Sequence, residues 1–281
     1  MSEPRPCPAC DAGSSRPAFT VAGYIHRRCD DCRSLFVDPL PSDEQLERVY
    51  AAPDYYASSE RHEPRIRREA RERARALVAL GARTVLDVGC AAGFFLDAAR
   101  DAGLEAQGVE PGPSGDRARA AGHLVVRGTL ADAGELGVFD AVTLWEVLEH
   151  VADPLELLEQ ALRHVRAGGV LALSTPTVSG LQGRLLGKRF PMVTPPNHLS
   201  LFSRPGLERL LARAGLRAFR TTSFSNLGEE ELRSGLRRFV FGGSPLAERV
   251  GSLLARSGVG VAALVDRAGL GSELEVHARR L

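Results

Sequence analysis

The sequence predicts an α/β fold: an open, mostly parallel sheet with helices on both faces, preceded by a small cysteine-bearing module. Three observations carry that prediction. From position 84 onward, strand-length aliphatic runs alternate with helix-length segments, the order that builds a parallel sheet. Residues 84–96, TVLDVGCAAGFFL, pass from a buried-strand composition through a glycine-cornered turn into a helix start. Ahead of them, Cys7, Cys10, Cys29 and Cys32 stand in the spacing C-x2-C-x18-C-x2-C.

The cysteine spacing falls within the range of four-thiolate zinc sites. Each pair sets two sulfurs on one side of a tight knuckle, and the intervening 18 residues accommodate two short strands. Two disulfides are the alternative. No charged-then-apolar leader accompanies the cysteines, however, and a cytoplasmic chain favours metal. Four thiolates leave no open coordination position, so the expected role is structural. The expected organisation is a zinc-ribbon-like module over 1–40, a helical linker or lid over 41–80 and a core over 81–281. Within the linker, Ser42 to Gln45 reads as a helix start leading to Leu46, Val49 and Tyr50. Tyr55 and Tyr56 follow, either covering a ligand mouth or packing the module on the core. Residues 61–75 alternate arginine and glutamate at helical-neighbour spacing. That pattern predicts a solvated helix face, with a basic docking surface as the alternative.

In the core, Thr84, Val85, Leu86 and Val88 predict a strand covered on both faces. Gly89 and Gly93 bracket a turn whose backbone can approach a ligand, with only Cys90, Ala91 and Ala92 between them. A helix opens at Phe94 and stops near Gly103. The next strand ends on Glu110, 23 residues after Asp87, where a carboxylate can accept hydrogen bonds from both ribose hydroxyls. A helix over 114–121, a strand over 124–126 and a loop with Thr129, Leu130 and Asp132 come next. Residues 139–145 form a fourth strand, 155–165 a helix ended by Gly168 and Gly169, and 170–176 a fifth strand. The connection 177–203 is rich in glycine and proline; it leaves the same sheet edge as the glycine turn and is expected to face a substrate. A helix over 205–214, a strand over 216–224, a helical insertion over 229–268 and a strand over 272–280 complete a seven-stranded sheet. The insertion is a candidate substrate wall or homodimer contact, and Leu274 and Val276 are expected to point inward.

The run from Gly89 to Gly93 does not fit the G-x-G-x-x-G dinucleotide fingerprint. With Asp87 it resembles the D-x-G-x-x-x-G motif of class I S-adenosylmethionine (SAM) methyltransferases. FDAVTLWEVLEHVADP, residues 139–154, is similar to the fourth-strand segment of small-molecule methyltransferases that include the ubiquinone-pathway O-methyltransferases. The resemblance implies a Rossmann-like, seven-stranded class I methyltransferase core with SAM as cofactor. On that basis Asp87, Gly89, Cys90, Ala91, Gly93 and Phe94 lie under the methionine part. Glu110, followed by Pro111, takes the ribose. Thr129 and Leu130 border the adenine, with Asp132 reaching its amine. Trp145 and Glu146 stand near the reacting methyl. Glu149 and His150 are catalytic candidates, although neighbours on a helix do not face each other, and a loop-holding or capping role is the alternative. PNHLSLFS, residues 196–203, resembles a run in zinc-bearing sugar C-methyltransferases of antibiotic pathways, which implies His198 as general base. Asn197 departs from that family's glutamate.

Composition narrows the function. The sequence contains no apolar run of about 18 residues, so no membrane span is expected, and the chain reads as cytoplasmic. A net charge of +1 disfavours a phosphate-backbone partner. The expected activity is methyl transfer to an oxygen or carbon of a small metabolite in secondary metabolism. The alternatives are rRNA or tRNA base methylation, with the zinc module docking RNA, and SAM binding without catalysis.

Overall fold

The computed structural model describes residues 4–42, 44–46, 48, 62–225, 260 and 263–280. Tyr55, Tyr56 and most of the 229–268 insertion lie outside the described residues. Two sheets organise the rest. The first is the N-terminal module, where β1 (Ser15–Val21) and β2 (Tyr24–Cys29) form the expected hairpin and β3 (Leu35–Val37) adds to β2. Ser42 and Gln45 then make a reciprocal cap: the Ser42 N–H donates to Gln45 Oε1 at 2.9 Å and the Gln45 N–H to Ser42 Oγ at 3.3 Å.

The core opens with α1 (Glu63–Ala79), followed by β4 (Thr84–Val88), α2 (Phe94–Asp101), β5 (Glu105–Glu110), α3 (Gly115–Ala120) and β6 (Leu124–Arg127). After these come β7 (Phe139–Trp145), α4 (Pro154–Arg163), β8 (Val165–Pro176), α5 (Leu181–Leu186) and β9 (Ser200–Leu201). The described chain ends with α6 (Arg204–Arg213), β10 (Leu216–Phe224) and β11 (Glu273–Arg280). The seven-stranded sheet runs β10-β11-β8-β7-β4-β5-β6. Six strands point the same way, while β11 is antiparallel to both of its neighbours, β8 and β10. This is the Rossmann-like architecture the sequence predicts.

Strand alternation assigns the two faces. Val85, Ala141 and Ala172 point to the face covered by α1 and α2, against Ala74, Leu77, Phe95 and Ala99. Leu86, Val142 and Leu171 point to the other, covered by Leu158 and Leu162 of α4 and by Leu207 and Leu210 of α6. Cys7, Cys29, Cys32 and Phe36 of the module belong to this second cluster, so the module and the main sheet share one core.

Three expectations change. Gly168 and Gly169 do not end a helix; they lie inside β8, where the register slips between Phe139 and Ala141 opposite them. A Cβ on Gly169 would stand 2.8 Å from the Asp140 carbonyl, which explains a glycine in a strand interior. The arginine-rich segment is not uniformly solvated. Arg73 is buried, its guanidinium 4.3 Å from the Trp145 ring centre and 3.1 Å from Glu275, and Arg67 lies 4.5 Å from the Phe94 ring centre and 2.9 Å from Asp97. Finally, the 177–203 connection does not only face outward from the sheet edge: β9, near its end, pairs with β3 and so joins the module's sheet.

Candidate active site

The glycine turn shows why its residues are small. Gly89 has φ +75° and a Cβ there would meet Val147 Cγ2 at 2.8 Å; Gly93 has φ +83° and would meet Ala118 Cβ at 2.8 Å. Ala91 is also left-handed, at φ 45°. The turn is tied to the end of β5 by Glu110, whose carboxylate accepts from the Ala91 N–H at 2.9 Å and from the Gly112 N–H at 2.7 Å. Gly115 makes room for it, since a Cβ there would stand 3.0 Å from Glu110 Cγ. Cys90 contributes backbone to the turn, while its buried sulfur packs over Gly108, where a Cβ would come within 2.6 Å. Phe94 is buried beneath Arg67 and Arg117, and Pro111 is exposed.

Asp87 is buried at the centre of the sheet and accepts a 2.6 Å hydrogen bond from Thr143 Oγ1. Burial pushes its carboxyl up to about 7 from an ordinary 3.8. The folded protein therefore keeps this proton over a pH range where the unfolded chain has lost it, so stability falls as pH rises from about 4 to about 7 and levels off above. Asp87→Asn should flatten that slope. Urea midpoints compared at pH 5 and pH 8 check this, and an equal drop in wild type and variant would contradict it.

At the C-terminal end of β7 the chain makes an abrupt turn. Glu146 is left-handed at φ 56°, an uncommon conformation for a non-glycine residue that concentrates at functional sites. Glu146 Oε1 and Trp145 Nε1 are buried without hydrogen-bond partners. A 3-10 turn, Leu148–His150, follows. It brings together what a regular helix would have separated: Glu149 Oε1 lies 3.8 Å from His150 Nε2. His198 arrives from the far end of the 177–203 connection, its ring centre 4.8 Å from that of His150.

Glu149 is fully buried, and His150 and His198 are partly so. Burial, with the charge of Glu146 beside it, holds the Glu149 carboxyl well above the usual carboxylate range. Burial lowers His150, and burial together with His150 lowers His198 to about 3. Both rings are therefore neutral at physiological pH. Glu273, from β11, is buried beside the same acids and is also raised, by burial and by Glu146. The sequence reading missed Glu273, taking only Leu274 and Val276 as inward, because β11 looks like an alternating strand with one polar face. It sits between β8 and β10 with both faces covered, so Glu273 and His277 are buried as well.

The loop expected to border the adenine is closed on itself. Leu130 is buried, but Asp132 Oδ2 accepts from its own turn, from Thr129 N at 3.1 Å and Thr129 Oγ1 at 2.5 Å, rather than standing ready for an amine.

The four cysteines converge, with Cys7 and Cys32 sulfurs 3.6 Å apart, Cys10 and Cys29 sulfurs 3.5 Å apart, and all four ligand atoms within 4.8 Å of one another. A tetrahedron with Zn–S bonds of about 2.3 Å separates its sulfurs by about 3.8 Å, so the donor set fits zinc. The knuckle is fixed to the core. The Ser203 hydroxyl donates to the Cys32 carbonyl, the Ser203 N–H donates to Ser34 Oγ at 3.0 Å, and Ser203 Oγ accepts from Gly206 N at 2.9 Å to cap α6. The Val37 N–H donates to the Leu199 carbonyl at 2.9 Å, and the Leu199 N–H to the Glu149 carbonyl at 2.7 Å. One strand of chain therefore links the cysteine module to the Glu149 turn directly beside His198.

A glycine turn after the first core strand, an acid ending the second, and an antiparallel strand inserted beside the fifth define a class I SAM-dependent methyltransferase. The chain belongs to the methyltransferase-domain family, which it matches over residues 43–220. A segment of 106 residues is 35% identical to a ubiquinone biosynthesis O-methyltransferase of Pseudomonas paraeruginosa, covering 34% of this chain and 45% of that protein. The chain thus spans less than half the length of this curated relative. Among solved structures, the chain is similar to a SAM-dependent methyltransferase of Thermotoga maritima described as a possible histamine N-methyltransferase, with a TM-score of 0.56 and 18% identity over 84% of this chain and 100% of that one. It is also similar to the Burkholderia thailandensis 1,6-didemethyltoxoflavin-N1-methyltransferase, solved with bound 1,6-didemethyltoxoflavin and S-adenosylhomocysteine (SAH), at a TM-score of 0.52 and 16% identity over 94% and 99% of the two chains. At these identities the two structures speak for the fold.

Proposed function

We propose that this chain transfers the methyl group of SAM to an oxygen or carbon of a small metabolite, with a structural zinc ion in the cysteine module. The observation that carries the reading is the meeting of Glu149, His150 and His198 at the C-terminal edge of the sheet, the edge that also presents the glycine turn and Glu110. SAM would lie across the turn, with its ribose on Glu110, its adenine beside Thr129 and Leu130, and its sulfonium toward Trp145 and Glu146. Cys7, Cys10, Cys29 and Cys32 would hold the zinc.

The sulfonium supplies its own leaving group, so the chain must align an acceptor with the methyl carbon and take up the acceptor's proton. The Glu149, His150 and His198 cluster is assigned that second task. His198 was the general base on motif grounds; its low proton affinity makes a direct proton transfer to the isolated ring weak and distributes the role over the cluster. The ubiquinone-pathway relative supports a small-molecule acceptor, as does the net charge of +1, which offers little to an RNA backbone.

The test uses labelled SAM with a panel of phenols, hydroxy acids, sugars and keto acids, and with total RNA in parallel. Label should enter a small molecule, and His198→Ala should lower kcat by about 100-fold or more while SAH affinity is kept. Label confined to RNA, or an unchanged kcat in the variant, would contradict the proposal.

A further inference from the structure

Glu149, His150 and His198 have a geometry that proton transfer alone does not require. One donor atom from each lies within 4.8 Å of the other two. Both imidazoles are held by a backbone carbonyl on the same ring nitrogen: His150 Nδ1 donates to Asn197 O at 2.9 Å and His198 Nδ1 to Met192 O at 2.7 Å. A carbonyl only accepts, so Nδ1 carries the hydrogen in each neutral ring and Nε2 carries the lone pair. Glu149 is likewise oriented from behind. Its Oε2 accepts from Thr175 Oγ1 at 3.0 Å, whereas Oε1, on a residue with no exposed surface, has no hydrogen-bond partner. Donating the far ring nitrogen to a backbone carbonyl, and fixing the far carboxylate oxygen with a hydroxyl, are the outer contacts that orient metal ligands.

A buried carboxylate oxygen without a donor is costly unless something cationic reaches it. Glu146 adds a second such oxygen nearby, and Glu273 a further acid. Two imidazole nitrogens and several acid oxygens therefore meet in one place, and a bound cation would take the position of the protons that burial holds on those acids.

We propose that Glu149 Oε1, His150 Nε2 and His198 Nε2 bind a divalent cation of the first transition row, and that this cation receives the oxygen of the methyl acceptor. Two imidazoles and one carboxylate favour Mn2+, Fe2+, Co2+ or Zn2+ over Mg2+, which prefers an all-oxygen shell. Three protein ligands leave open positions, in contrast to the filled four-thiolate set of the module. This inference rests on the methyl-transfer reading and sharpens it: the acceptor is a molecule with a hydroxyl or enol oxygen that the cation can polarise. With its lone pairs on the cation, the cluster promotes loss of the hydroxyl proton by polarising the oxygen rather than by accepting the proton, which leaves to solvent, and the oxygen's electron pair forms the new bond to the methyl carbon. The C–S bond breaks with its pair going to sulfur, and the cation keeps its oxidation state throughout.

The test is a Co2+ titration of the full zinc-containing chain, read by visible absorption and metal analysis, with SAH calorimetry on the same samples. Wild type should take up about one cobalt per chain in addition to zinc, without the thiolate charge-transfer band that cobalt in the cysteine module would show. Glu149→Gln and His198→Ala should each weaken cobalt binding by about 100-fold while SAH affinity stays within a few-fold. Should His198→Ala fail to fold, Glu149→Gln keeps the side-chain shape and decides. A wild type that binds no cobalt outside the thiolate site, or variants that bind it as tightly as wild type, would overturn the metal site. Loss of SAH binding in wild type would instead overturn the methyltransferase reading on which it rests.

Discussion

Gly89→Val should lower SAH affinity by at least about 100-fold. The native backbone at this position is left-handed, at φ +75°, and a Cβ would stand 2.8 Å from Val147 Cγ2. A β-branched residue is strained in that conformation by roughly 1–2 kcal/mol, and overpacking against a stiff valine adds about 1–3 kcal/mol. Both are relieved by moving the turn, yet the turn is pinned by the Gly89 N–H to the Val109 carbonyl at 2.8 Å and by Ala91 to Glu110. The movement therefore falls on the surface proposed to cradle the cofactor. Gly103→Val is the control, because it shares the left-handed backbone, at φ +83°, but has nothing within 4 Å. It should cost stability and leave SAH binding intact. Calorimetry on both variants decides, and equal affinity for SAH in wild type and Gly89→Val would remove the turn from the cofactor site.

Cys29→Ser should collapse more than the module it belongs to. Structural zinc in small domains supplies apparent binding energies of about 10–16 kcal/mol, so with the zinc proposed above, losing a thiolate ligand would leave the module without the term that folds it. Here the loss propagates along a defined path. With the knuckle gone, Ser203 loses the Cys32 carbonyl and Ser34, β9 loses β3, and Leu199, which bonds the Glu149 carbonyl, is freed on its other side. Phe36 and the cysteines also leave the core cluster they share with Leu144 and Leu207. The expected result is a fall in Tm on the order of 10 °C, loss of the bound zinc, and a drop in kcat larger than any change in SAH affinity. Thermal scans with metal analysis check it; a zinc-free variant with unchanged Tm and kcat would show that the module is independent of the site.

Most of the core was legible because its signals are local. The glycine turn follows from backbone conformations that only small residues tolerate, and the strands of the parallel sheet follow from aliphatic runs buried on both faces. The cysteine module was legible from spacing alone, as the meeting of its four sulfurs bears out. What escaped was set by distant partners. β9 is two residues long, and no local pattern marks a segment whose strand character comes from pairing with Leu35 and Phe36 more than 160 positions earlier. Arg73 looks like one more member of a solvated arginine series until Trp145 and Glu275 are brought to it. Glu273 reads as the outward side of an alternating strand, and the coverage of both faces of the sheet buries it beside the acids of the site. The pairing of Glu149 with His150 was discounted on helical geometry, and the 3-10 turn over Leu148–His150 restores it.

The structure of this chain bound to SAH tests the central claim most directly. The adenosyl group should lie over the turn from Gly89 to Gly93, with the ribose hydroxyls on the Glu110 carboxylate and the sulfur directed toward Glu146 and the cluster of Glu149, His150 and His198. SAH bound elsewhere, or with its sulfur turned away from that cluster, would contradict it.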